Sequence, residues 1–151
     1  MAMDAQQEQL LADLGKYGCQ SIHVQAEGDL PTYTYSAGVG RTSYAPDIVV
    51  FGQPHAVAHR LVHMYYKRLR EGALFETDQP ISGFLSNQDC QLRSVHPSWH
   101  TILFGWNVWL HDGPSFRMRQ LVYPTVEGIW PWDGQANAWL RRNQPLLSQP
   151  A

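Results

Sequence analysis

The sequence predicts an α+β domain with a mixed, mainly antiparallel sheet of about five strands flanked by three helices. Three segments carry apolar side chains at helical spacing, and shorter segments between them alternate apolar and polar residues. Asp47–Phe51 is a continuous apolar run, typical of a strand covered on both faces. Only one strand–helix–strand crossover is convincing, which favours a mixed sheet over a doubly wound fold.

The chain has 151 residues, which is the usual size of a single domain with one core. We therefore expect residues 1–151 to form one α+β domain without a linker or a repeat. Residues 1–4 and 144–151 are predicted to be flexible ends, because they are polar and terminal.

The first half of the chain predicts two helices and three strands. Asp4 can cap a helix over residues 5–17, and Gly18 lies where a left-handed C-terminal cap is expected. Alternating residues from Ile22 to Val39, with a turn at Gly28-Asp29, predict a hairpin, and the central strand follows at 47–51. Pro54 begins the clearest helix, which is predicted to end near Arg70.

The second half of the chain is less regular. Cys90–Val95 is a strand candidate, and a third helix is predicted from about His96 to Leu110, before Asp112-Gly113-Pro114. Residues 116–123 have strand character and are followed by the aromatic segment Trp130-Pro131-Trp132.

Charge and cysteine content argue against several classes of partner. The net charge of −2 and a pI near 6.4 provide no positive field for nucleic acid or acidic lipids. Cys19 and Cys90 lack a disulfide or zinc-knuckle spacing and are expected to be buried thiols. The polar N-terminus has no apolar targeting segment. We expect a cytoplasmic protein that binds neither nucleic acid nor membranes; a homodimer is compatible with its size.

His55, His59 and His63 are spaced by four residues and would form one column on the second helix. An adjacent pair could share a divalent ion such as zinc, but the first and third are about 12 Å apart along the helix axis, too far for one ion. Another histidine, among His23, His96, His100 and His111, would have to complete such a site. The alternative is a solvated helix edge, and no bound cofactor is predicted.

The strand end at residues 33–43 offers another candidate. Tyr33 and Tyr35 lie on one side of the strand, and Gly38-x-Gly40 followed by Arg41 could present N–H groups and a guanidinium to an anion. A glycine-permitted bend explains the same residues without a ligand. The candidate catalytic residues are His59 and Tyr35.

The aromatic residues of the second half provide a third candidate. Trp99 and Trp106 fit a core-facing stripe, whereas Trp109, Trp130 and Trp132 fall outside it. With Arg119 and Gln120 they could form a binding surface, because Trp and Arg anchor interfaces well. The candidate binding residues are Tyr33, Arg41, His59, Trp109, Arg119, Gln120, Trp130 and Trp132.

Five segments keep a recognisable order and spacing: Tyr33–Val39, Pro46–Gly52, Ala58–Leu61, Gly105–Leu110, and Gln120–Pro124 followed by Gly128–Trp132. Together they resemble a bacterial family described only as domain of unknown function 4262, over about residues 18–147. The resemblance implies no particular activity. It does include His59, which makes this the favoured histidine of the column.

Two functional hypotheses follow from these features. The first is a small binding module for a protein partner or small ligand, with an immunity- or antitoxin-like role among its forms. The second is a small enzyme, either a metal-assisted hydrolase using His59 with another histidine, or a flavin- or anion-binding domain using the loop from Gly38 to Ser43.

Overall fold

The computed structural model describes residues 3–151; residues 1 and 2, part of the expected flexible N-terminal end, lie outside this range. The helices are α1 (Ala5–Tyr17), α2 (Val39–Thr42), α3 (His55–Arg70), α4 (His100–Leu103), α5 (Gly105–His111) and α6 (Ala138–Asn143). The strands are β1 (Gln20–Val24), β2 (Tyr33–Ala37), β3 (Asp47–Phe51), β4 (Gln91–Ser94) and β5 (Met118–Val122).

The five strands form one sheet in the order β1-β2-β3-β5-β4. The β1–β2, β2–β3 and β4–β5 pairs are antiparallel, whereas β3 and β5 are parallel. The predicted α+β class with a mixed, mainly antiparallel sheet is therefore confirmed. β3 is central, as its continuous apolar run predicts, and every one of its residues is buried.

Local sequence signals explain the first helix and the bend after β2. The Asp4 carboxylate accepts a hydrogen bond from the Gln7 N–H, and the Gln7 side-chain oxygen accepts one from the Asp4 N–H, so α1 begins with a capping box. Gly18 ends α1 with φ 86°. Gly38 has φ 93°, and a Cβ there would lie 2.4 Å from Leu14 Cδ2, so this bend requires glycine.

Each face of the sheet is covered by different elements. On one side, here called the α3 face, Ile48, Val50 and Leu121 pack against Leu61 and Tyr65 of α3. On the other side, here called the C-terminal face, the sheet packs against α4, α5 and the end of the chain; its buried residues include Tyr33, Tyr35, Val49, Met118, Leu103, Phe104 and Leu147. Cys19 and Cys90 are buried free thiols, as expected.

The predicted third helix is interrupted. A 3₁₀ turn at Pro97–Trp99 leads into α4, and Phe104 leaves the helical conformation with φ −120° and ψ 56° before α5 begins. This break buries the Phe104 side chain completely, and the Trp106 N–H donates to the Tyr35 hydroxyl at 3.3 Å. The predicted third helix is therefore present as successive helical segments with a break at Phe104, because tertiary contacts outweigh helical periodicity there.

Residues 144–151, expected to be flexible, make specific contacts in the structure. The Gln144 side chain hydrogen-bonds both the N–H and the carbonyl of Tyr123. Leu147 is fully buried, and its carbonyl accepts a hydrogen bond from the His96 N–H at 2.7 Å. This segment thereby covers part of the C-terminal face.

Candidate functional site

A cavity of about 290 Å³ lies on the α3 side of the molecule, near the N-terminal ends of the parallel strands β3 and β5. It is bounded by the loop that follows α2, by the end of α3 and by the segment after it. We call it the arginine pocket and define it by Tyr44, Pro46, Tyr65, Leu74, Phe75 and Arg119.

The guanidinium of Arg119 is the main charged group of this pocket. It donates from Nη1 to the Phe75 carbonyl at 2.9 Å, and neighbouring Arg117 donates to the Tyr44 carbonyl. The ion pairs of residues 3–151 are Lys67–Glu71 and Arg93–Asp78, so within this range neither Arg117 nor Arg119 pairs with a carboxylate. Both arginines therefore retain positive charge and N–H donors for an acidic ligand.

Tyr65 brings a neutral phenol to the same pocket. Its hydroxyl donates to the Pro46 carbonyl at 2.7 Å. Burial raises the pKa of Tyr65, and the nearby Arg119 and Arg117 oppose this shift less strongly. The phenol stays protonated at neutral pH, so it leaves the positive charge of the arginines uncompensated.

The rim of the arginine pocket is apolar and exposed. Tyr44 is 82% exposed and Leu74 is 96% exposed, which is unusual for large apolar side chains that flank a cavity. Tyr44 also has φ 61°, a left-handed conformation that costs a non-glycine residue stability. An apolar rim above unpaired guanidinium groups suits a ligand with both an apolar part and an acidic part.

A second polar region lies where the N-terminal half of α3 crosses β1. His23 of β1 and three histidines of α3 follow one another there, and we call them the histidine row: His23, His55, His59 and His63. Ring centroids are 4.6 Å apart for His23 and His55, 6.1 Å for His55 and His59, and 4.2 Å for His59 and His63.

The hydrogen bonds of the row distinguish its members. His23 is engaged through both ring nitrogens, with Thr34 at 2.7 Å and Thr32 at 3.0 Å. His59 is exposed, and its Nδ1 lies 2.6 Å from the Ser21 hydroxyl. His63 Nε2 is buried without a hydrogen-bond partner. Burial, followed by the neighbouring His59, lowers the pKa of His63, which keeps this imidazole neutral.

The predicted metal ligands His55, His59 and His63 all belong to this row. Within residues 3–151, no three His, Cys, Asp or Glu side chains are arranged to hold one ion. His59 and His63 are the closest histidine pair on α3, whereas His96, His100 and His111 lie outside the row. His100 and His111 stack on Phe116 instead, with centroid distances of 4.2 and 5.4 Å.

The glycine-rich loop after β2 is occupied by a side chain of the protein itself, the carboxyl group of Asp47. The carboxylate of Asp47 accepts hydrogen bonds from the Ser36 hydroxyl at 2.7 Å and from the Val39 N–H at 3.1 Å. Burial raises the pKa of Asp47 to about 7, and these two hydrogen bonds oppose the shift. The Val39 N–H, which the sequence suggested for an external ligand, is thus used by Asp47. Arg41 is exposed nearby.

The candidate residues Tyr33, Tyr35 and Gln120 are buried in the structure. The Tyr33 hydroxyl donates to the Leu103 carbonyl at 2.8 Å, and burial raises the pKa of Tyr35 to about 12. The Gln120 side chain donates to the Pro145 carbonyl at 2.7 Å and accepts from the Leu147 N–H at 3.0 Å. These contacts give the three side chains structural partners within the fold.

The aromatic candidates are partly exposed and lie in two separate places, Trp130 and Trp132 beside β4 and Trp109 on α5. Trp130 and Trp132 stack with centroids 4.9 Å apart and an interplanar angle of 10°. The Arg93 guanidinium of β4 lies 4.3 Å from the Trp132 ring centroid, which makes a three-layer stack. Trp109 packs edge-to-face on Trp106 at 6.0 Å.

The candidates do not converge on one site. His59 contacts Ser21 on the edge strand β1, whereas Trp132 contacts Arg93 on the opposite edge strand β4. Gln120 is buried on β5, between these edges. The structure therefore groups the histidines of the row with one another. It places Arg119 in a separate pocket, beside residues that the sequence did not suggest.

Sequence reasoning missed Tyr44, Tyr65 and Leu74 as pocket residues. Tyr65 belongs to the apolar stripe of α3, and the stripe does not reveal that its hydroxyl reaches a cavity. Tyr44 and Leu74 stand in loops whose exposure depends on the packing of distant segments. Arg117 and Arg119, two positions apart at the start of a strand, were the available signal.

Comparison with protein families agrees with the resemblance seen in the sequence. The model of the family described as domain of unknown function (DUF4262) matches residues 13–137, which is most of the chain. The protein therefore belongs to this family. Searches of curated proteins and of solved structures found no match. In residues 3–151, no helix combines the length and apolar character needed to cross a membrane.

Proposed function

We propose that this protein is a binding module whose arginine pocket takes a small ligand with an acidic group and an apolar part. The observation that carries the proposal is the Arg119 guanidinium, which lines a cavity of about 290 Å³ and has no carboxylate partner in residues 3–151. Arg119 is also one of the binding residues predicted from the sequence.

The pocket separates two kinds of contact. Arg119 provides charge-assisted hydrogen bonds to a carboxylate, while Tyr44 and Leu74 provide apolar surface at the rim. A few placed polar groups beneath apolar walls are typical of small-molecule sites. The carbonyls of Pro46 and Phe75 are held by Tyr65 and Arg119, so the pocket shape is fixed before a ligand enters.

The test uses phenylacetate as the probe and neutral phenylacetamide as its matched control. Chemical shifts recorded by NMR during a titration should change for residues of the arginine pocket with phenylacetate and change much less with the amide. Arg119→Gln should weaken phenylacetate binding about 10- to 100-fold, the loss expected for a hydrogen bond to a charged group.

Arg60→Gln is the control variant, because Arg60 is an exposed arginine of α3 that does not line the pocket. It should bind phenylacetate like the unchanged protein. Equal affinities for phenylacetate and its amide, or equal losses in Arg60→Gln and Arg119→Gln, would contradict the proposal.

Recognition of a protein partner is a second candidate, favoured by the partly exposed stack of Arg93, Trp132 and Trp130. An immunity- or antitoxin-like role is one form of this second candidate function. If it is correct, replacing both tryptophans with alanine should abolish capture of a defined partner while phenylacetate binding persists. Retained capture would count against it. Of the enzymatic alternatives, the metal-assisted hydrolase depends on an ion at His59, and the flavin- or anion-binding domain depends on the loop from Gly38 to Ser43.

A further inference from the structure

We infer that His59 and His63 form a two-imidazole site for a divalent first-row transition ion, separate from the arginine pocket. The two residues are one helical turn apart on α3, so their side chains project from the same side of the helix. Their ring centroids are 4.2 Å apart with an interplanar angle of 47°. Two imidazoles this close on one side of a helix need only small side-chain rotations to direct one nitrogen each toward a shared ion.

The hydrogen bonds of His59 favour this geometry. Ser21 of β1 occupies Nδ1 of His59 at 2.6 Å, which orients the ring and leaves Nε2 for an ion. A hydrogen bond to the other ring nitrogen is the usual support of a metal-binding histidine. The Ser21 hydroxyl is thus a positioning group for the proposed ligand.

His63 provides the second, independent observation. Its Nε2 is buried and has no hydrogen-bond partner in the described part of the chain, although most buried polar atoms have one. His63 also lines a cavity of about 570 Å³ on the side of the ring toward the end of α3.

The other members of the row are less suitable. His23 uses both ring nitrogens for hydrogen bonds to Thr34 and Thr32. His55 lies farther from His59, with ring centroids 6.1 Å apart. Two neutral imidazoles without a carboxylate select ions such as zinc, copper or nickel over magnesium and calcium, which prefer oxygen ligands.

The experiment titrates tag-free protein with Zn²⁺ by calorimetry and with Cu²⁺ by electron paramagnetic resonance. One ion should bind per chain, and the Cu²⁺ spectrum should show coupling to two nitrogens. His59→Ala and His63→Ala should each weaken the Kd on the order of 100-fold, because two linked ligands become one. Ser21→Ala should weaken it by about tenfold through loss of orientation.

His55→Ala is the matched control and should leave the Kd for Zn²⁺ unchanged. His59 and His55 are both exposed, so neither variant should disturb folding, and circular dichroism verifies this. No Zn²⁺ binding, an unchanged Kd in His59→Ala, or an equal loss in His55→Ala would each overturn the inference. Arg119→Gln should not affect Zn²⁺ binding, which separates this site from the proposed ligand pocket.

Discussion

The two faces of the sheet use their polar side chains in different ways. On the C-terminal face, Tyr33 and Gln120 are buried and each hydrogen-bonds the backbone of a covering segment. On the α3 side, Arg119 and His63 keep hydrogen-bonding groups without a protein partner in the described residues. Polar groups of the first kind hold the fold together, whereas those of the second kind remain available to a ligand. Buried polar atoms without a hydrogen-bond partner also occur in α4 and α5, which cover the C-terminal face, at His100 Nε2, Asn107 Oδ1 and His111 Nε2. The α3 side differs because its unpartnered groups, on Arg119 and His63, line cavities.

The sharpest test of this difference compares adjacent residues of β5. Gln120→Ala should lower the free energy of unfolding by about 3 to 5 kcal/mol, because the Pro145 carbonyl and the Leu147 N–H lose their partner and a cavity opens. Arg119→Ala should lower it by only about 1 kcal/mol, since this side chain is partly exposed. Urea denaturation followed by circular dichroism measures both. Similar losses would show that the two faces do not differ in this way.

Asp47 tests a carboxylate that is hydrogen-bonded through Oδ1 and yet costs free energy to bury. Its pKa is about 7 in the folded protein, against a usual 3.8. The folded state therefore binds the proton more tightly than the unfolded state between these values. Stability from this group is present below about pH 4 and is lost as the pH rises to about 7, by on the order of 3 kcal/mol.

Asp47→Asn should remove this part of the pH dependence, because the amide does not ionise. Between pH 4 and pH 7.5, the unchanged protein should lose more free energy of unfolding than the Asp47→Asn variant. Urea midpoints at these pH values provide the measurement. Parallel pH curves for the two proteins would rule out a titrating Asp47.

Much of the fold could be predicted because its signals are local. The Asp4 cap, the Gly18 stop and the apolar run of β3 depend on neighbouring residues or on one strand, and the structure confirms all three. The break at Phe104 could not be predicted, because it depends on burial against the sheet and on the Tyr35 hydroxyl, far away in sequence. Helical periodicity alone favoured a continuous helix there.

The candidate site was less predictable than the fold. Arg119 and Gln120 looked alike as binding residues, although neighbouring positions of a strand point to opposite faces. Which face is sealed depends on the packing of residues 144–151, and their polar composition suggested a flexible end instead. The histidine row was visible as a column on α3, but the contact of His59 with Ser21 required the placement of β1 beside the helix.

Tyr44 offers the smallest and most specific test of the difference between the faces. A tyrosine with φ 61° has a strained backbone, which costs conformational free energy. Packing of its side chain offsets little of that free energy, because the residue is 82% exposed. Tyr44→Gly should relieve the strain and raise the free energy of unfolding by about 0.5 kcal/mol, after allowing for the greater freedom of glycine in the unfolded chain. The same change should weaken phenylacetate binding, since the aromatic rim is lost. Thermal denaturation and the NMR titration measure the two effects. Gly72→Ala serves as the control, because it lies in the same pocket but introduces strain at φ 94°. This variant should lower the melting temperature. If Tyr44→Gly is less stable than the unchanged protein, the left-handed tyrosine stabilises the fold itself. Tyr44 would then not be a strained residue retained for ligand binding.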